Sequence, residues 1–155
     1  MVKGTKEKKL AAMKDLSTGS AGTVTIVLYI VGLIIIISQS TGYQLFLSIL
    51  LSEILAKFSM VLMASIGKSA TLGSNSPFVE LMKNKKKLVL ASVITLIPMI
   101  VLGGQTGLLV FGVGVTLTIF LVILTAKSFG GITGDVFGAT NELTRLASLL
   151  IFVSV

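Results

Sequence analysis

The sequence predicts an all-α, polytopic transmembrane helix bundle, and three observations carry that prediction. Charged residues make up only 12% of the 155 positions while the hydrophobic set reaches 54%, against about 25% charged residues in an ordinary soluble domain. Mean hydropathy is +1.02, so six acids and thirteen bases cannot coat a water-exposed globule of this size. The apolar residues also fall in long runs separated by short polar ones, which is the pattern of membrane-spanning helices.

The chain opens with Lys3, Lys6, Lys8, Lys9 and Lys14, followed by the apolar run VTIVLYIVGLIIII at 24–37. That run passes into SQSTG without an Ala-x-Ala cleavage site, so it reads as a retained first span over about 22–38 rather than a signal peptide. Ser20 or a neighbour would cap it. A second span over about 45–66 carries Glu53 and Lys57. They are four residues apart, on one helix face, with the glutamate N-terminal to the lysine. Ser52, Ala56, Ser59 and Met63 recur at three- and four-residue steps, which suits close helix packing. Two roles stand for the Glu53/Lys57 face: an internal ion pair within the packing surface, or a polar surface turned to a substrate.

Hydropathy collapses over 67–87, where Gly67, Gly73, Asn75 and Pro77 mark a loop. Pro77 with Ser76 before it would start a short interfacial helix. A third span over about 88–102 contains Pro98, expected to kink it. GGQTG at 103–107 reads as a tight connection to a fourth span over about 108–126. After a polar, glycine-rich stretch, 143–155 is apolar again. Its 13 residues reach only about 20 Å, so a short terminal helix is expected unless it begins within the preceding stretch.

If the spans alternate, every lysine-rich segment falls on one side of the membrane, and the connections at 39–44 and 103–107 carry no base. That asymmetry predicts a multi-pass cell-membrane protein with a cytoplasmic N-terminus. It also accounts for the formal charge of +7 without nucleic acid, for which no motif or aromatic interleaving is present. Cysteine and histidine are both absent. That excludes disulfides, thiolate chemistry and the usual zinc and haem sites, leaving hard cations on oxygen ligands.

Chemistry concentrates in two polar segments. In 130–142, Gly130, Gly134 and Gly138 are four apart and would line one helix face, while Asp135 and Glu142 lie two turns apart. Two carboxylates over a floor with little side-chain bulk would hold a hydrated divalent cation or orient a phosphorylated substrate. The competing account gives the glycines to helix packing and turns both acids to water. In 13–22, Asp15, Ser17, Gly19 and Gly22 precede the first span. Hydroxyls, glycines and helix-start amides there would form a phosphate cradle, although neither GxxxxGK[ST] nor GxGxxG occurs.

The segment K-x-F-G-G-x-T-G-D-x-x-G-A-x-x-E at 127–142 resembles the C-terminal signature of the cobalamin synthase (adenosylcobinamide-GDP ribazoletransferase) family. Residues 13–22 are similar to that family's M-x-D-S-x-x-G-x-x-G segment. Asp15, Gly19 and Gly22 match, and Leu16 stands where the family has serine. The resemblance implies a membrane transferase of cobalamin biosynthesis that joins GDP-activated corrinoid to alpha-ribazole and releases GMP, with magnesium. It implies Asp135 and Glu142 as catalytic and metal-binding residues. For substrate it implies Asp15, Ser17, Gly19, Gly22, Lys127, Gly130, Gly131, Thr133 and Gly134. Arg145 stands where the family often has a further acid. The family also carries an upstream D-G-x-x-D-x-x-D-G signature. Here the acids are Glu7, Asp15, Glu53, Glu80, Asp135 and Glu142, with no two closer than seven residues. The expectation is therefore a chain matching the C-terminal part of the enzyme: half of a split synthase, a truncated product or a remnant. Such a chain would be inactive alone and would associate with a second membrane subunit or with itself in the lipid. The alternative is a non-enzymatic scaffold or transporter-like subunit.

Overall fold

The computed structural model describes residues 5, 19–70 and 76–155. They form α1 (Ser20–Ser38), α2 (Gly42–Ile66), α3 (Ser76–Met82), α4 (Lys85–Phe129) and α5 (Gly134–Ser154). No strand occurs among them, and α1, α2, α4 and α5 are each long and apolar enough to cross a membrane. The chain is an all-helical, multi-pass membrane protein.

The 45 residues of α4 are two helices joined at a reversal. Gly104 has φ 56° and ψ −136°, a left-handed conformation that glycine adopts without penalty. A Cβ on Gly107 would collide with the carbonyl of Met99, a residue that a straight helix would put about 12 Å away. The two legs therefore run antiparallel, with GGQTG as their connection. Pro98 sits within the first leg, and the only non-helical backbone inside α4 is at Gly104.

The last helix departs from expectation. It spans 21 residues from Gly134, about 31 Å, and so is long enough to cross. The apolar run from Leu143 marks only its second part. Its first turns carry polar residues that meet α2, Thr140 against Met63 and Asn141 against Lys57.

At the centre is α2, packed against α4 on one side and α5 on the other. Leu51, Leu55, Phe58 and Leu62 recur along one stripe and meet Met99, Val110 and Phe152. Ser52, Ala56, Ser59 and Met63 are all fully buried. In lipid, little hydrophobic force draws helices together, so small residues that admit close packing do the work. Several buried hydroxyls are satisfied within their own helices: Thr118 donates to Gly114 O at 2.7 Å, Thr140 to Val136 O at 2.8 Å and Ser148 to Thr144 O at 2.6 Å, whereas those of Ser52 and Thr144 have no partner among the described residues. By contrast, α1 lies outermost, with Ile36 its one buried residue. Its N-cap is Gly19, with no side-chain capping bond, so Ser20 is not the cap.

Candidate functional site

Two polar layers emerge from this packing, one at an end of the bundle and one at mid-depth. At the end, the chain leaving α2 pairs with the chain entering α5. Ile132 N–H donates to Lys68 O at 2.8 Å, and Ala70 N–H donates to Ile132 O at 2.9 Å. These bonds form an isolated parallel bridge between Ser69 and Ile132. Gly131 permits it, because a Cβ there would lie 2.5 Å from Lys68 O. Gly130 closes α4 with φ 82°. Both glycines thus have a backbone role, capping a helix and admitting a neighbouring strand.

Thr133 is the N-cap of α5, yet its side chain makes no capping bond. Its Oγ1 is buried without a hydrogen-bond partner. Gly134 and Asp135 follow in the first turn, both exposed, and Lys127 is exposed in the last turn of α4. An orphan hydroxyl, the first amides of a helix and a solvent-facing carboxylate therefore share one rim. Gly22 lies in the first turn of α1, just after Gly19. Asp15 and Ser17 lie outside the described residues. Gly138 does not serve close helix approach here, since a Cβ on it would meet nothing within 4 Å.

The second layer lies near the midpoints of α1, α2 and α5. Arg145 Nη1 binds Glu142 Oε2 at 2.5 Å, and Arg145 Nε is in ion-pair contact with Glu53 Oε1. That second contact lacks hydrogen-bond alignment, because Nε is otherwise unpartnered. Glu53 Oε2 lies 3.9 Å from Lys57 Nζ, which donates to Asn141 Oδ1 at 3.0 Å. Asn141 Nδ2 donates to Glu142 Oε1 at 2.8 Å and closes the ring. The Tyr29 hydroxyl donates to Glu142 Oε2. Two acids and two bases make the ring formally neutral, which is how ionisable groups are carried at membrane depth. The sequence showed the Glu53/Lys57 pair. It did not show that Arg145 supplies the second cation, although an arginine inside the terminal apolar helix signals a buried acidic partner.

This arrangement separates the two expected metal ligands. Asp135 and Glu142 are about 10 Å apart along α5, whereas magnesium takes its oxygens at about 2.0–2.1 Å. Both oxygens of Glu142 are engaged within the ring. Among the described residues no three of the acid, histidine and cysteine type gather for a metal. Asp135 and Glu142 therefore do not act together as direct ligands of one magnesium ion in this arrangement.

The profile of the cobalamin-5-phosphate synthase family matches residues 1–153. The chain is 33% identical over 154 residues to the adenosylcobinamide-GDP ribazoletransferase of Pyrococcus abyssi, covering 97% of this chain and 63% of that protein. It is 34% identical to the enzyme of the same name from Pyrococcus furiosus, covering 97% of this chain and 64% of that protein. For the Archaeoglobus fulgidus enzyme the identity is 34%, over 93% of this chain and 60% of that protein. The chain therefore spans a little under two thirds of the length of these curated relatives. No solved structure matches it. By both the family profile and these relatives, the chain belongs to the cobalamin-5-phosphate synthase family.

Proposed function

We propose that the chain takes part in ribazole transfer to a GDP-activated corrinoid, as the names of its relatives describe for those proteins. One observation carries this reading. The segment 127–135 forms a rim at one end of the bundle where the unpartnered Thr133 hydroxyl and the exposed Asp135 share the start of α5. A hydroxyl of alpha-ribazole attacks the phosphorus bearing the corrinoid. A new P–O bond forms, the bond to GMP breaks, and GMP departs with the electron pair. Asp135 accepts the proton of the attacking hydroxyl. Thr133 and the first amides of α5 face the phosphoryl oxygens, where a helix N-terminus favours negative charge, and Lys127 adds a point charge for phosphate.

In this reading the rim faces the cytoplasm. The lysines at 68, 83, 85–87 and 127 share its side of the bundle, in keeping with the positive-inside rule. A second membrane chain or a second copy completes the assembly, because the Lys57 side chain is 63% exposed at mid-depth, where lipid contact is costly.

Asp135→Asn tests the chemistry. It keeps the size of the side chain and removes its charge and basicity. In native membranes supplied with adenosylcobinamide-GDP and alpha-ribazole, corrinoid product formation should fall by about 100-fold or more with unchanged membrane insertion. Unchanged turnover would remove Asp135 from the reaction.

A further inference from the structure

The contacts between α1 and α5 recur at a nearly constant offset, 113 and 114 residues. Tyr29 binds Glu142, 113 residues on. One turn further along both helices, Gly32 approaches Leu146 so closely that a Cβ on the glycine would lie 3.8 Å from Leu146 Cδ1. The two helices therefore run parallel and in step. Followed back toward their starts, Gly19 lies ten residues before Tyr29, and Thr133 lies nine before Glu142. At about 1.5 Å per residue, both are about 14–15 Å from the Tyr29 contact. The described end of the first polar segment, residues 19–22, and the start of α5 thus lie at the same end of one helix pair.

Little else holds α1 in this register. Ile36 is its one buried residue. Among the described residues, its other side-chain hydrogen bonds, from Thr25 and Ser38, stay within the helix. Only Tyr29 reaches another helix, giving its proton to Glu142 and receiving Arg145 Nη1 at 3.4 Å. A hydrogen bond to an ionised group in a low-dielectric layer is among the stronger neutral-to-charged contacts available. In addition, Asn141 and Arg145 hold Glu142 from two other directions, so the acceptor cannot follow if α1 slides.

We propose that Tyr29 is a positioning residue: through the Glu142–Arg145 pair it sets the register of α1 on α5 and so holds residues 19–22 beside 133–135 as one membrane-surface site. The proposal rests on the reading that these segments serve one reaction, but its structural half is testable without that reaction. The chain has no cysteine of its own, so introduced pairs report cleanly. Gly19→Cys with Thr133→Cys should be joined in native membranes by a bis-maleimide of about 10 Å reach, the spacing of packed helix axes. Adding Tyr29→Phe should slow that cross-linking by about tenfold, the factor a hydrogen bond to a charged group typically supplies. Gly32→Leu, which leaves the ring untouched and wedges the helices apart, should slow it similarly. Ile34→Leu, on the exposed side of α1, should leave the rate unchanged.

In the same membranes without introduced cysteines, Tyr29→Phe should raise KM for alpha-ribazole several-fold, with kcat per inserted protein held within about twofold. A merely destabilising change would lower the amount of active protein and leave KM alone. Cross-linking unaffected by both Tyr29→Phe and Gly32→Leu would overturn the positioning role. Slowed cross-linking in membranes whose wild-type chain forms no product would sustain the register and overturn only the activity.

Discussion

Removing the guanidinium of Arg145 tests the mid-membrane ring most directly. Arg145→Leu leaves Glu53 and Glu142 across the α2–α5 interface, with Lys57 the one remaining cation and 3.9 Å from Glu53. The ring then carries one uncompensated negative charge. Breaking a fully buried ion pair from one side costs about 3–5 kcal/mol. Here the side chains of Glu53 and Glu142 are 38% and 39% exposed, and water drawn to these open sides in detergent lowers the cost to about 2 kcal/mol. For a domain of this size that corresponds to about 4–8 °C in Tm. Thermal unfolding in mild detergent reads the shift. The informative partner is the double variant Glu142→Gln/Arg145→Leu, in which Glu53 and Lys57 balance each other and Gln keeps one acceptor oxygen, for either Tyr29 or Asn141. It should recover at least half of the lost stability, a coupling of about 1 kcal/mol or more. If the two substitutions instead added, charge balance would not be what holds α2 to α5.

Two further outcomes follow from the fold. Gly107→Ala drives a methyl into the Met99 carbonyl at the α4 reversal, and since backbone cannot yield there as a side chain can, a loss of about 3 kcal/mol is expected, read by the same unfolding measurement. Single cysteines in place of Thr41 and Lys83, both exposed at helix ends, should label from opposite faces of intact cells, Thr41 from outside. Labelling of the position 83 cysteine from outside, with the position 41 cysteine protected, would reverse the assignment of the rim to the cytoplasm, and labelling of both from outside would overturn the alternation of spans.

Much of this architecture is written in local pattern. Residue type alone marks the apolar runs, the GGQTG reversal and the stripe of small residues in α2, because each depends on neighbours within a turn or two. The start of α5 escapes such reading. GDVFGATNEL has low hydropathy, yet it is helical and its polar side chains have partners on α2, which no window along the chain contains. The same holds for the ring. Glu53 and Lys57 are legible as a pair four residues apart, whereas the Lys57–Asn141 bond joins positions 84 residues apart. The spacing of Asp135 and Glu142 misleads in the opposite sense: two turns on one face suggests joint action, but two turns in a spanning helix is also a change of depth.

That difference in depth decides what each carboxylate can do. Asp135 stands in the first turn of α5, exposed and, among the described residues, without an ion pair, where its charge favours the helix start and water can carry a proton to or from it. Glu142 stands about 10 Å deeper, with Tyr29, Asn141 and Arg145 on its oxygens. Taking up a proton there would break the neutrality of the ring and weaken the attachment of α1. Its charge serves best by staying fixed. The arginine at 145, which subtracts an acid from the motif when the sequence is read alone, is what allows two glutamates to sit between α2 and α5 at all. On the proposed reading, chemistry falls to the rim, and the ring's part is to keep α1 and α5 in register.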